Sequence, residues 1–515
     1  MHAVAIVLFL VVLATAVATG ARRVGLPAPS LLVIAGMVVG FLPFVPRITV
    51  TPDLIGVIVL PPLLYASAEE MPLRDLRKVW RPVTVLAVGL VLASAAVVGA
   101  VASWVAPLPA SMAFVLGAIL ASTDPVAVTA LGRRLALPPR IGTMIQAESL
   151  FNDATSLVLY KVAVSVAIAG GAVSWEAAGG EFVMLAGGGA VVGAVVALVV
   201  GQLRKHTEDA VLETVLALVT PYAAYVVAES VHGSGVTAVV VAGVLLGGRN
   251  HRLTTAGSRL QLHAVYGTVV FLLESVVFAL IGLELPYLLR AMEGEDRWWP
   301  LQVLAVVAAM LLCRTLWVGA LSVAMQRRRG RTRPSWRVPA VLSWAGTRGV
   351  MPLAAALSLP LALPMRSMVM VIVAATLVVT LVAQGLTLAP LVRRSGIALE
   401  PADTQREEAR ARERVARAAL ERLEELGGLE ALPEVAVDRM RRSLAGRLEA
   451  ARERLEEGAD GGDAPGVAYA ELRRELIGVE TAELRRLFEA HEIGDGTRRR
   501  IQRSLDLEAE RLGGG

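Results

Sequence analysis

One apolar stretch of this chain carries Ala147-Glu148-Ser149-Leu150-Phe151-Asn152-Asp153. Two carboxylates, a carboxamide and a hydroxyl thus sit in a segment otherwise suited to hydrocarbon. A carboxylate at the centre of a bilayer costs about 2.5–3.5 kcal/mol on insertion scales. Sequences accept that cost where the group faces a protected, hydrated path or an ion. On a helix, Ser149 and Asp153 are four apart and share one face, while Glu148 and Asn152 share the neighbouring face. The first stripe can offer a hydroxyl and a carboxylate to a proton or a hard monovalent cation. The second can hold a partner helix. A buried Glu148 needs a cation, and Arg314, midway along another apolar stretch, is the best candidate. That pair either only stabilises the bundle or also serves the ion path.

Two further strings place polar groups at depth. Ser122-Thr123-Asp124-Pro125 contains a proline that removes a backbone donor and interrupts its helix. Gly346-Thr347-Arg348-Gly349, followed by Pro352, is interrupted or thinned in the same way. Broken backbone at that depth is tolerated only against protein or a wet cavity. Half-helix N-termini are positive and C-termini negative, so Asp124 can offset the former and Arg348 the latter. Lys161, two turns beyond Asp153, is placed to snorkel to the outer surface or line an outer funnel rather than to carry the ion. Glu274 lines an inner funnel or a dimer interface. The histidines (His2, His206, His232, His251, His263, His491) lie at segment ends, in loops or in the tail, which argues against a histidine proton relay.

Other chemistries find little support. No lysine follows a glycine, so a Gly-Lys phosphate loop is absent and ATP is not expected as a ligand. The string His232-Gly233-Ser234-Gly235 is the one hydrolase-like feature, and it falls in an outer loop without a deep catalytic partner. Hence no enzymatic activity is expected. Cys313 is the only cysteine, so no intrachain disulfide can form. The net charge of +5 follows membrane topology and is no sign of nucleic-acid binding.

The elements that must position these groups are membrane helices. The chain is 55% hydrophobic with mean hydropathy +0.61, and apolar runs of about 20 residues recur along it. Thirteen candidate spans cover about 2–19, 27–45, 52–67, 81–105, 110–131, 143–169, 181–202, 209–230, 234–248, 264–289, 299–325, 338–360 and 367–392. Starting outside, every second loop is basic: Arg22-Arg23; Arg74, Arg77, Lys78 and Arg81; Arg133, Arg134 and Arg140; Arg204-Lys205; Arg249, Arg252 and Arg259; the arginines from Arg327 to Arg337; Arg393-Arg394. The opposite side carries only Arg47, Arg290, Arg297 and Arg366. The positive-inside rule then places the N-terminus outside and the C-terminus in the cytoplasm. Spans four to six and eleven to thirteen cross in opposite senses, each trio with its middle helix interrupted, the pattern of inverted repeats around a transport site. Residues 395–515 turn to Arg, Glu, Ala and Leu, with breaks expected near Gly427-Gly428, Pro433 and Gly461-Gly462. They read as cytoplasmic amphipathic helices, either a solvated tail or a regulatory or dimer-supporting region.

Over residues 1–394 the chain resembles the monovalent cation:proton antiporter-1 family, which includes NhaP-type antiporters and sodium/proton exchangers. The residues that carry the resemblance are Leu60-Pro61-Pro62-Leu63-Leu64, Thr123-Asp124-Pro125, Glu148-Ser149-x-x-Asn152-Asp153, Arg314-x-Leu316-x-Val318, Gly346-x-Arg348-Gly349 and Gln384-Gly385-Leu386-Thr387. The resemblance implies an all-α polytopic antiporter fold with two crossed, interrupted helices. It implies a homodimer in a bacterial plasma membrane, with a core domain (about 81–169 and 299–392) and a dimerisation domain (about 1–67 and 209–289). It makes Asp153 the carboxylate that alternately binds H+ and Na+, Li+ or K+, with Thr123, Ser149 and Asp124 at the cation site. Asn152 and Glu148 become the structural partners of Arg314, and Arg348 the arginine of the helix crossing. Asn152 before Asp153 implies electroneutral exchange; no cofactor is implied beyond the transported ions. A K+/H+ antiporter, or a membrane sensor signalling through the tail, is the alternative. Some relatives carry a glutamate where this chain has Ala66, after Tyr65, so their full ligand set cannot be transferred.

Overall fold

The computed structural model describes residues 2–24, 26–42, 55–71, 73–125, 128, 137–169, 175–207, 209–248, 256–291, 298–328, 335–397, 401–429, 433–456, 465–490, 492 and 495–513. Several residues used in the sequence reading lie outside them: Arg47, Arg133, Arg134, Arg249, Arg252, His251, Arg297, Arg329, Arg331, Arg333, Gly461-Gly462 and His491.

The chain forms two compact units, Met1–Ala398 and Leu399–Gly515. The first is a helical bundle: α1 (His2–Val24), α2 (Ala28–Phe41), α3 (Leu60–Glu69), α4 (Leu73–Val105), α5 (Ala110–Leu120), α6 (Pro139–Ile168), α7 (Trp175–Lys205), α8 (Ala210–Ser230), α9 (Gly235–Gly247), α10 (Ala256–Ala291), α11 (Trp299–Arg328), α12 (Arg337–Trp344), α13 (Val350–Leu357) and α14 (Arg366–Ser395). Of these, α4, α6, α7, α8, α10, α11 and α14 are long and apolar enough to cross a membrane, and α1, α2, α3, α5 and α9 are shorter apolar helices.

Lipid supplies no hydrophobic force between helices, so close packing must hold the bundle together. Small residues provide it. A Cβ built at Gly36 of α2 would meet the carbonyl of Ala279 in α10, and one at Gly282 that of Val33. The same device joins α4 to α5, where Gly117 lies against the Ala95 carbonyl, and α7 to α9 at Gly193 and Ala238. Helix α5 packs against α4 and α6, while α12 packs against α11 and α14.

Several helix ends differ from the sequence reading: α7 begins at Trp175 rather than near 181, and α10 at Ala256 rather than near 264. Helix α4 begins at Leu73 rather than near 81, because Val79 and Val83 face inward at helical spacing while Arg74, Arg77, Lys78 and Arg81 face out. Where a span to about 131 was expected, α5 ends at Leu120; the stretch beyond Pro125 falls almost entirely outside the described residues. Between α12 and α13 the helix opens over Ala345–Gly349.

The second unit comprises α15 (Pro401–Leu429), α16 (Glu434–Glu456), α17 (Pro465–Glu489) and α18 (Asp495–Gly513). Helix α15 runs through Gly427-Gly428, so the break expected there is absent, while Pro433 stands between α15 and α16 as expected. A glycine in a helix costs only about 1 kcal/mol against alanine, which the surrounding helix tolerates. Helices α17 and α18 close over Ile477, Leu484 and Leu505, and Arg473 pairs with Glu480 and Glu508.

Candidate functional site

The two helix breaks are bonded to each other. The Asp124 N–H donates to the Thr347 carbonyl at 2.8 Å, and the Thr347 hydroxyl returns a bond to the Asp124 carbonyl at 2.6 Å. This antiparallel bridge satisfies backbone groups that the broken helices leave open, the condition for irregular backbone at membrane depth. The Asp124 carboxylate then accepts the N–H of Val350, the first residue of α13, at 3.3 Å. A negative charge therefore sits at a helix N-terminus, where the helix dipole favours it.

The glycines of the second break make room for these side chains. A Cβ at Gly349 would strike the Asp124 carboxylate, and one at Gly346 the Arg314 guanidinium. Gly349→Ala should therefore push Asp124 off Val350 while leaving every charge in place. Misplacing groups at a binding site by about 1 Å can cost up to about a hundredfold in rate. We expect the variant to be monodisperse in detergent yet at least about tenfold slower in ion exchange. A wild-type rate would show that the position of Asp124 does not matter.

Helix α6 anchors the first break. Asn152 Nδ2 donates to the Thr123 hydroxyl at 2.6 Å, and the Thr123 N–H donates to Asn152 Oδ1 at 3.3 Å. The Ser149 hydroxyl donates to the Thr123 carbonyl at 2.7 Å, and two turns further along, Ser156 donates to the Ala118 carbonyl at 2.6 Å. Asn152 therefore clamps the Ser122–Asp124 segment, whereas the resemblance assigned it to Arg314. The reason is its height: Asn152 lies one turn beyond Glu148, level with the break.

Asp153 faces the same segment. It is 8% exposed and takes a hydrogen bond from Ser122, and the charges of Asp124 and Arg348 act on it. Ser122 was not singled out from sequence, although it stands beside Thr123 in the interrupted string. Arg348 is buried; its Nη1 donates to the Gly346 carbonyl at 3.2 Å, and its Nε lies 3.1 Å from Met310 Sδ.

Glu148 and Arg314 meet at 2.5 Å, both buried. Arg314 also donates from Nε to the Ser343 carbonyl at 3.1 Å and from Nη2 to the Leu342 carbonyl at 2.9 Å. Those carbonyls belong to the last turn of α12 and have no partner within the helix. One guanidinium thus neutralises Glu148 and caps the half-helix.

Lys161 binds both carboxylate oxygens of Glu229, at 2.6 and 2.8 Å, so it neither snorkels freely nor stands alone. Glu229 lies near the end of α8, outside the set of deep charges considered from sequence. Glu274 on α10 is half-buried and close enough for the charge of Asp124 to act on it. Among the described residues, no group of three or more His, Cys, Asp or Glu is placed to hold a metal ion.

The arrangement joins a buried carboxylate and two hydroxyl-bearing residues at a break between helices. A family model for the transmembrane sodium/hydrogen exchanger matches residues 7–394, which include every site residue above. The chain belongs to the sodium/hydrogen exchanger family. It is 33% identical over 418 residues to an uncharacterised Na+/H+ exchanger of Mycobacterium tuberculosis, covering 78% of this chain and 76% of the relative. It is 31% identical to the Na+/H+ antiporter ApNhaP of Aphanothece halophytica, covering 72% and 70%. A sodium, potassium, lithium and rubidium/H+ antiporter of Bacillus pumilus is 30% identical, covering 69% of this chain and 56% of that protein. The fold is similar to that of the sodium proton antiporter MjNhaP1 from Methanocaldococcus jannaschii, with a TM-score of 0.62 and 21% identity over 77% of this chain and 99% of that one. The exchanger is therefore an all-helical, multi-pass membrane protein of an ion-transporting family.

Proposed function

We propose that this exchanger carries a monovalent cation, with Na+ first, out of the cytoplasm against protons by competition at Asp153. The observation that carries the reading is Asp153 set against the unwound Ser122–Asp124 segment, itself bonded to the second break. Protonated Asp153 is neutral, and deprotonated Asp153 is neutralised by a cation. Either form can cross a low-dielectric barrier, while the empty carboxylate cannot do so cheaply. Alternating access without ATP then yields one-for-one exchange, electroneutral because position 152 is an asparagine. Ser149, Thr123 and Asp124 complete the cation site, and Arg348 balances charge at the crossing. The working unit is a homodimer in a bacterial plasma membrane, N-terminus outside. The 395–515 region is cytoplasmic and regulates exchange.

A K+/H+ antiporter is the second reading. The Bacillus pumilus relative bears potassium in its name, and Ala66 supplies no carboxylate to favour the smaller cation. Dequenching of a pH dye in everted vesicles, scanned over Na+, Li+ and K+ at several pH values, decides. We expect responses to Na+ and Li+ that an imposed potential leaves unchanged. A dominant K+ response favours the second reading, and silence to all three removes antiport.

A further inference from the structure

Lys161 and Glu229 tie α6, the helix of Asp153, to α8. The Glu229 side is held firmly. Its Oε1 also accepts the Gly235 N–H at the start of α9, at 3.0 Å. The turn between α8 and α9 is pinned by Gly233 N–H to the Ala228 carbonyl at 2.8 Å and Ser234 N–H to the Leu185 carbonyl of α7 at 2.9 Å. Lys161 comes from the other side, on the face of α6 that carries Asp153, about 12 Å further along the axis at 1.5 Å per residue. The charge alternation puts that end of α6 outside.

We propose that the Lys161–Glu229 pair is the outer gate of the ion path. The Lys161 ammonium holds on Glu229 the place that an external monovalent cation takes, and the two must part before Asp153 can face outward. This rests on the alternating-access reading above. Two observations fit a gate better than a fixed brace. The side chains of Lys161 and Glu229 are 37% and 36% exposed, so the pair is not sealed inside the bundle. A half-exposed pair biases an equilibrium by up to about fivefold, weak enough to break in each cycle. The Glu148–Arg314 pair shows the contrast. It is buried, and α12 holds its arginine through two more bonds, so it cannot part in each cycle without stranding buried charge.

The test uses the full chain in proteoliposomes with Cys313→Ser and a single reporter, Leu157→Cys, four residues from both Asp153 and Lys161. A membrane-impermeant thiol reagent is added from the Lys161 side, and half-saturating Na+ is measured from that side. Lys161→Gln should speed labelling by up to about fivefold and lower the half-saturating Na+ by a similar factor. Glu229→Gln should speed labelling without improving Na+ affinity, because the carboxylate is gone. The exchanged pair Lys161→Glu with Glu229→Lys should restore slow labelling, which also guards against misfolding of either single variant. Wild-type labelling in Lys161→Gln, or equally fast labelling in the exchanged pair, overturns the gate. Failure of the wild type to exchange ions would remove the antiport reading instead, while the labelling rates still decide whether the pair closes the outer side.

Discussion

Asp153→Asn should reduce cation-driven proton exchange in proteoliposomes to the background of empty vesicles, and it should do so without unfolding the protein. The amide matches the carboxylate in shape, so it can remain beside Ser122 and the broken segment. It binds no proton at working pH and carries no charge to neutralise a cation, so both halves of the cycle stop together. Removing a carboxylate that is only 8% exposed also relieves a burial cost, so the melting temperature of the variant in detergent should match or exceed the wild type. A second readout follows from linkage. A ligand that binds only the folded state stabilises it by RT ln(1 + [L]/Kd), about 2.7 kcal/mol at a hundredfold excess over Kd. Added Na+ should raise the melting temperature of the wild type and leave Asp153→Asn unmoved. Asp153→Glu, which keeps the charge but is one methylene longer, should retain partial exchange with weakened cation binding. Persistent Na+-dependent proton flux through Asp153→Asn would falsify competition at this carboxylate and shift attention to Asp124 or Glu274, the other carboxylates near the breaks.

Some of this site was legible because isolated polar residues stand out in an apolar chain. Asp153 stands out by its burial cost and helical spacing, and Glu148 points to Arg314 because a buried carboxylate needs a cation and Arg314 lies midway along another apolar helix. The two breaks were marked by Pro125, Gly346 and Gly349. What sequence could not supply was height and orientation across the bundle. The stripe through Glu148 and Asn152 is real, but its two residues sit a turn apart and meet different partners, Arg314 and Thr123. Arg314 was read as one half of an ion pair because a carbonyl left open by a helix end is invisible until the end is located. Lys161 lacked a partner because Glu229 is near the end of its helix, where a carboxylate costs little and attracts no notice. Ser122 escaped for the opposite reason: a serine at a helix break is ordinary, and only its approach to Asp153 gives it a role.

The largest loss of stability is expected from Arg314. Breaking a buried ion pair by removing one partner costs about 3–5 kcal/mol, because the remaining charge has no compensation. Arg314→Gln strands Glu148, whose Oε2 already lacks a hydrogen-bond partner among the described residues. It also withdraws donors from the Leu342 and Ser343 carbonyls, each worth about 1–3 kcal/mol when left unsatisfied. Against a typical total of about 5–15 kcal/mol, these losses should leave little folded protein, seen as aggregation on size exclusion and a collapsed melting transition. Glu148→Gln should be milder, since Arg314 keeps its bonds to α12 even though its charge is then uncompensated. The double variant separates the two roles. With both charges removed, Glu148→Gln with Arg314→Gln should be more stable than Arg314→Gln alone, by a coupling of about 0.5–3 kcal/mol. It should still melt below the wild type, because no glutamine reproduces a guanidinium that reaches a carboxylate and two carbonyls at once. If the double variant is no more stable than Arg314→Gln, the ion pair contributes nothing and Arg314 acts only as a cap. If instead it matches the wild type, the cap is dispensable and α12 ends where it does for another reason.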